Sequence, residues 1–438
     1  MNPTRKRYAV VGTGSRAEQH IGALAVSHAD HAELAAFADV NQTRMNAHNA
    51  LLVQRGARPV PTFHADEFQP MLDQEDIDVV VVTSVDSTHD EYIVAALDAG
   101  REVVTEKPMT VDAPRCQRIL DAVERNDGKV TVAFNYRFNP VFEKVRLLVE
   151  AGEIGEVGSV HFEWFLDTRH GADYFRRWHR DRDQSGGLMV HKATHHFDLI
   201  NWWIDATPAE VFALGSTFFY GKENGQRRGL ARDYSRAHGS PEAYGDPFAL
   251  RLADSPWLKS LYLDAEHEDG YHRDQNVFAE GIAIEDDVAL VARYDSGATL
   301  SYHLTAYSPW EGVRVAINGS CGRLDVEIVE NDSVTRPHSG ESPPQHGVEA
   351  TPEQGWAHLW LRPLWQRPRE IPLAYGQDGH GGADERMFAT LYGGRPDPMG
   401  RSATHRDGAR SLLTGFAANR SFETGLPVRT SDLLSGAR

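Results

Sequence analysis

Two groups of side chains in this sequence could together assist the removal of a hydride and a proton from a secondary alcohol, one by holding the developing charge and one by taking the proton. Lys107, in Glu106-Lys107-Pro108, offers a cation to stabilise a developing alkoxide. His195, in His191-Lys192-Ala193-Thr194-His195-His196, titrates near neutral pH and can accept the hydroxyl proton. Lys107 could also relay or accept that proton if burial lowers its pKa, while on local sequence alone it reads equally as a surface lysine beside a turn proline. His191 and Lys192 are further catalytic candidates. If 187–202 is one helix, spacings of four and three put His191, His195 and Asp198 on one face, with Lys192 beside His195 and His196. The competing reading gives that helix to Phe197, Leu199, Ile200 and Trp203 as core, with the histidines hydrogen-bonded beneath a sheet. His191 and His195 at i, i+4 would also suit a metal pair, with Asp198, His179 or His303 arguable as a third ligand.

A substrate needs its own contacts, and 167–180 packs Arg169, His170, Tyr174, Arg177, Trp178 and His179 into one short stretch. Guanidinium forks suit carboxylate, sulfonate or phosphate, and aromatic faces suit a sugar ring. The same stretch could instead be an oligomer contact or a salt-bridged lid. Arg137 and Asp198 complete the substrate candidates, and Tyr271 to Asp274 and His380 to Asp384 are weaker ones of the same kind.

Hydride requires an acceptor, and Gly12-Thr13-Gly14-Ser15-Arg16-Ala17 has the form of a dinucleotide turn. The first glycine permits a tight turn, the second lets backbone approach a pyrophosphate, and the small Ala17 lets helix pack on strand. Asp39 closes the next strand where an acid meets the adenosine ribose hydroxyls, which favours NAD over NADP. Arg44 lies near enough to keep a 2′-phosphate in play, and Asp39 could also serve as a helix cap.

The elements that must hold these residues follow from periodicity. Strands are expected at 8–12, 33–39, 79–83, 102–105 and 130–134, with helices at 17–27, 41–55, 89–99 and 113–126, the alternation of a parallel α/β sheet. Beyond that, alternating stretches at 159–166, 288–294 and 299–304 indicate a largely antiparallel sheet, hence an α/β unit followed by an α+β unit. Domains are expected at 1–128 and 129–438, with polar, weakly periodic insertions at about 221–280 and 332–366. The chain's 438 residues suit two domains. A net charge of -18 disfavours nucleic acid and anionic membrane as partners. Two cysteines, with neither a signal-like leader nor a spanning apolar run, point to a cytoplasmic protein.

Further motifs carry a family resemblance. Ser84-Val85-Asp86-Ser87-Thr88-His89, the Glu106-Lys107-Pro108-Met109 run, Asn135-Tyr136-Arg137-Phe138 and Gly186-Gly187 through Asp198 together resemble the glucose-fructose oxidoreductase/inositol dehydrogenase (Gfo/Idh/MocA) family. The resemblance extends to Gly319-Ser320-Cys321-Gly322 and Ala417-Ala418-Asn419-Arg420, nearly the whole chain. It implies an N-terminal Rossmann domain and a C-terminal α/β domain with an open, predominantly antiparallel sheet, often used for a dimer or tetramer. It implies that Ser84, His89, Glu106, Lys107 and Asn135 face the cofactor and that Lys107 acts at the nicotinamide. It requires no metal, and none is expected. Many members carry Asp-x-x-x-His at the substrate; here His191 stands where that aspartate would be, and Lys192, His195 and Asp198 match a Lys-x-x-His-x-x-Asp variant instead.

The expected activity is NAD-dependent oxidation or reduction of a sugar, cyclitol or glycoside hydroxyl, on a small carbohydrate that is neutral or anionic. The alternative is a glycosidase that oxidises a hydroxyl transiently, eliminates the aglycone, adds water and reduces again. A non-catalytic dinucleotide sensor is the third class, disfavoured by Lys107 and His195.

Overall fold

Four consecutive β-branched valines are best accommodated as a strand covered on both faces. The computed structural model, which describes residues 5–334, 355–373 and 379–434, buries all four in the middle of a sheet. Its strands are β1 (Lys6–Val11), β2 (Ala32–Asp39), β3 (Thr62–His64), β4 (Val79–Val82), β5 (Glu102–Thr105) and β6 (Val130–Val132). They lie side by side as β3-β2-β1-β4-β5-β6, all parallel, and Ala403–Thr404 adds an antiparallel pair at the β6 edge. Strand order reverses between β1 and β4, the switch point where open α/β sheets bind ligands. The connecting helices are locally specified: Ala113–Asn126 starts at Asp112, which accepts the Arg115 amide, carries proline in its first turn, and buries Cys116, Ile119, Ala122 and Val123.

This sheet belongs to the first of two compact units, which comprises the chain up to Asn135 together with Leu252–Arg273 and Asp384–Ala409. Periodicity gave no sign of those two returns. Leu252–Arg273 falls inside the first polar stretch, where the structure has short helical turns rather than loop alone. Most of the second polar stretch, 335–354, and the side chain of His380 lie outside the described residues.

The second unit is built on β7 (Val157–Asp167), β8 (Pro208–Ser216), β9 (Asp287–Tyr294), β10 (Thr299–Ser308), β11 (Glu311–Gly319), β12 (Gly322–Asn331), β13 (Trp356–Pro363) and β14 (Arg369–Glu370). Their order is β14-β13-β12-β11-β7-β10-β9-β8, with Val428–Arg429 pairing at the β8 edge. Neighbours are antiparallel except β7 and β10, which run parallel. Inward side chains alternate along β7 (Val160, Phe162, Trp164, Leu166) and β10 (Leu300, Tyr302, Leu304). β13 arises within sequence read as insertion, because Leu359 and Leu361 give a short strand one buried face.

The stretch 187–202 differs from the single helix considered above. It forms Leu188–His191 and Thr194–Ile204, separated where the Ala193 amide reaches back five residues to the Leu188 carbonyl. That widened turn lets Lys192 point at aromatic rings rather than continue the helix, so His191 and His195 do not share one continuous helical face. Nearby, the helix Thr168–Arg176 lies directly on β10: a Cβ on Gly171 would sit 1.8 Å from the Ala306 carbonyl oxygen. Gly171→Ala should therefore force helix and strand apart and cost about 1–3 kcal/mol, seen as a lower melting temperature; an unchanged melt would show that the helix is not seated this closely.

Candidate active site

In the first unit the dinucleotide turn is fixed by backbone contact. Gly12 has φ +84°, and a Cβ there would stand 2.4 Å from the Ser84 Cα, so only glycine lets the ends of β1 and β4 meet. Ala17 is fully buried against the sheet. Asp39, at the end of β2, is 7 % exposed; it accepts hydrogen bonds from the Thr13 amide and hydroxyl (2.8 Å) and from the Asn41 amide (2.9 Å). Its carboxylate thus ties β2 to the turn, and Oδ1, which accepts only from the Asn41 amide, retains lone-pair capacity for a ribose hydroxyl. The cradle fits a nicotinamide dinucleotide: apart from the chain neighbours of Gly14, the only atom of the described residues within 4 Å of a Cβ placed there is the Tyr262 hydroxyl oxygen, at 3.5 Å. Arg44 turns away from Asp39 toward Leu252–Arg273, where it pairs with Asp269 at 2.6 Å and donates to the Leu261 carbonyl at 3.1 Å.

Glu106 binds the turn to Lys107. Its carboxylate takes Arg16 Nε at 2.6 Å and lies 2.9 Å from His20 Nε2, and it accepts from the Lys107 backbone amide at 3.1 Å. Burial alone would raise its pKa, but Arg16 and the His20 hydrogen bond bring it down to about 2. Asp384, from the Asp384–Ala409 return, accepts from Arg16 (2.9 Å) and from Asn135 Nδ2 (3.0 Å). Tyr392 contacts the other His20 nitrogen at 2.6 Å. Lys107 is half-buried and precedes a cis peptide to Pro108. His89 lies between the Pro108 carbonyl (2.9 Å) and the Ser84 carbonyl (3.1 Å), joining the two loops, and burial holds its imidazole below the ordinary histidine range. Asp384, His20 and Tyr392 carried no local signal of this role, since the chain brings them together across more than 360 positions.

The second unit assembles its own group on β7 and the helix Thr194–Ile204. Lys192 is 3 % exposed, donates to the Tyr136 hydroxyl at 3.2 Å and stands 4.7 Å from the Trp164 ring centre. Burial lowers its pKa, against a smaller upward pull from Glu311 and Glu330. His195 stacks on the same Tyr136 ring at 4.4 Å. His196 is instead core: it stacks on Trp164 and meets the Tyr302 hydroxyl at 2.9 Å. Asp198 and Arg137, expected at substrate, form a buried bidentate pair at 2.7 and 2.6 Å. His191 packs against His179, Tyr174 and Trp178 with ring centres 4.2 to 5.8 Å away.

Of the remaining substrate candidates, His170 meets Glu311 at 2.6 Å and the Tyr174 hydroxyl at 2.9 Å, while Arg169 folds back onto Asp167 at 3.0 Å. Arg177 lies 3.9 Å from Asp173. Tyr136, Trp164 and Glu311, which frame these groups, were not singled out in the sequence because each reads locally as strand or turn. No three His, Cys, Asp or Glu among the described residues are grouped to hold a metal, and no described helix is long and apolar enough to cross a membrane.

A Rossmann sheet with this turn, followed by an α/β unit on an open mixed sheet, defines a NAD-binding oxidoreductase class. Residues 6–134 match the model described as oxidoreductase family, NAD-binding Rossmann fold, and 146–430 match that family's C-terminal alpha/beta domain. The chain belongs to the Gfo/Idh/MocA oxidoreductase family. It is 36% identical over 390 residues to YteT of Bacillus subtilis (strain 168), covering 85% of this chain and 86% of that protein. To an inositol 2-dehydrogenase of Rhizobium meliloti (strain 1021) it is 33% identical over 141 residues, 32% of this chain and 41% of the relative. Its fold resembles the WlbA dehydrogenase of Bordetella pertussis, solved with NADH and UDP-GlcNAcA, at a TM-score of 0.62 and 20% identity, with 97% and 98% of the two chains covered.

Buried groups beside the turn make a pH prediction. His48, whose Nε2 meets the Thr13 carbonyl at 3.0 Å, is pushed by burial from 6.5 to about 4, and Glu106 is held at about 2 against 4.5. Both are lowered in the fold, so both stabilise it above their unfolded values and lose that contribution as acid is added. Melting temperature should fall first between pH 6.5 and 4 and again below 4.5. His48→Gln should lessen the fall in the upper part, to which buried His89 also contributes, and leave the lower part unchanged; an identical profile in that variant would remove His48 from the account.

Proposed function

We propose that this chain is an NAD-dependent dehydrogenase acting on a secondary hydroxyl of a sugar, cyclitol or glycoside. The observation that supports this most is Glu106, because one buried carboxylate holds both Arg16 of the dinucleotide turn and the backbone of Lys107. A lysine so held is positioned relative to the turn, which suits a group that must stand beside the reacting carbon. The bound dinucleotide would supply hydride transfer; the protein's task is to move a proton and hold charge. Lys107 stabilises the alkoxide oxygen, and His195, kept in plane by Tyr136, accepts the hydroxyl proton. Buried Lys192 donates to the hydroxyl of the same Tyr136 ring and so helps hold the surface on which the base is stacked.

Asp39 supports NAD over NADP, since a carboxylate at the ribose repels a 2′-phosphate, and Arg44 is engaged by Asp269. The rings of Tyr174, Trp178 and His179, with Arg177 beside them, suit a carbohydrate face and an anionic substituent. The inositol dehydrogenases among the relatives support the same substrate class.

Incubation with NAD and a panel of neutral and anionic sugars, cyclitols and glycosides should yield NADH in proportion to ketone formed. Lys107→Ala and His195→Ala should bind NAD as the wild type does and lose at least about 100-fold in kcat. Sugar release with no net NADH would replace this reading with redox-neutral glycoside hydrolysis. Full turnover in both variants would overturn the roles given to the two residues.

A further inference from the structure

The segment Leu252–Arg273 supplies its own oxygens to the backbone amides around the dinucleotide turn. The Tyr262 hydroxyl accepts from the Ser15 amide at 2.9 Å and lies 2.8 Å from the Ser15 hydroxyl. In a turn of this type that amide is a donor to pyrophosphate. The Glu268 carboxylate accepts from the amides of Gln42 (2.5 Å) and Thr43 (2.9 Å), at the start of the helix Gln42–Gln54 that follows Asp39. Asn41 Nδ2 donates to the Ala265 carbonyl at 2.9 Å, and Trp257 lies edge-on to His48 at 5.1 Å.

The surroundings of the Tyr262 oxygen are those of an anion site. The Arg273 guanidinium stands 4.4 Å from the ring centre and that of Arg44 5.5 Å from it. Burial would raise the pKa of this phenol, but Arg273 and the hydrogen bonds from Ser15 bring it below the ordinary tyrosine value. The residue lies in a π-helical turn, Lys259–Leu263, a geometry that recurs at functional sites and that a small rewinding converts to ordinary helix.

We propose that Leu252–Arg273 is a built-in gate on the dinucleotide site, in which Tyr262 takes the place of a phosphate oxygen at the Ser15 amide and withdraws when the nicotinamide dinucleotide loads. The inference rests on the reading of 12–17 as a dinucleotide turn. It makes Tyr262 a residue that sets the rate and affinity of cofactor binding.

Stopped-flow and equilibrium NADH binding to the full chain test this. Tyr262→Phe frees the Ser15 amide and should raise the association rate and tighten Kd, each on the order of fivefold. Glu268→Gln, which loosens the same segment elsewhere, should act in the same direction by a smaller factor. Amide exchange across 252–273 should quicken when NAD is added to the wild type. Weaker or unchanged NADH binding in Tyr262→Phe, or slower exchange across the segment with NAD, would overturn the gate. A wild type that binds neither NADH nor NADPH would instead overturn the reading of the turn, and the gate with it.

Discussion

A carboxylate with almost no access to water must be ionised by its neighbours or not at all, and Glu106 is held ionised from three directions. Arg16 comes from the dinucleotide turn, His20 from the helical segment behind it, and the Lys107 amide from the loop after β5. Desolvating such a group costs several kcal/mol, and removing any one partner would leave charge uncompensated. The arrangement therefore acts less as a source of stability than as a registration device. It admits one relative position of turn, lysine and the Asp384–Ala409 return, whose Asp384 takes the far side of Arg16. His89 does the same for the neighbouring loops by lying between the carbonyls of Ser84 and Pro108.

The second unit solves a different problem, that of seating a lysine and a histidine within an apolar interior. Aromatic faces serve both. Trp164 and Tyr136 receive the Lys192 ammonium, and Tyr136 also fixes the plane of His195. The bidentate Arg137–Asp198 pair anchors the helix one turn further on. The break after His191 is the consequence: an unbroken helix would have carried Lys192 past these rings, whereas the widened turn seats it among them.

How much of this was legible in sequence depended on how local each cause was. Buried parallel strands announce themselves by runs such as Val79–Val82, and Gly12 by a turn in which only glycine clears the Ser84 backbone. Glu106-Lys107-Pro108 was recognisable through its motif, yet the role of Glu106 was not, because His20 meets it, and Tyr392 and Asp384 meet its partners His20 and Arg16, only in three dimensions. Tyr262 was invisible for the same reason: it lies in a polar stretch without periodicity, 247 positions from the serine it contacts. β13 was missed because two buried leucines among tryptophans and charges make a weak alternation. The helix break at Lys192 depended on rings contributed by β7 and by Tyr136, which no local pattern reports.

If Glu106 is the point on which turn and lysine are registered, its charge should matter to cofactor binding even where its shape is kept. Calorimetric titration of Glu106→Gln with NAD, beside the wild type, measures this directly. The account predicts a folded variant whose NAD affinity is at least about tenfold weaker, since Arg16 loses one of its two ionic partners and the turn its fixed position. Wild-type affinity in that variant would contradict it.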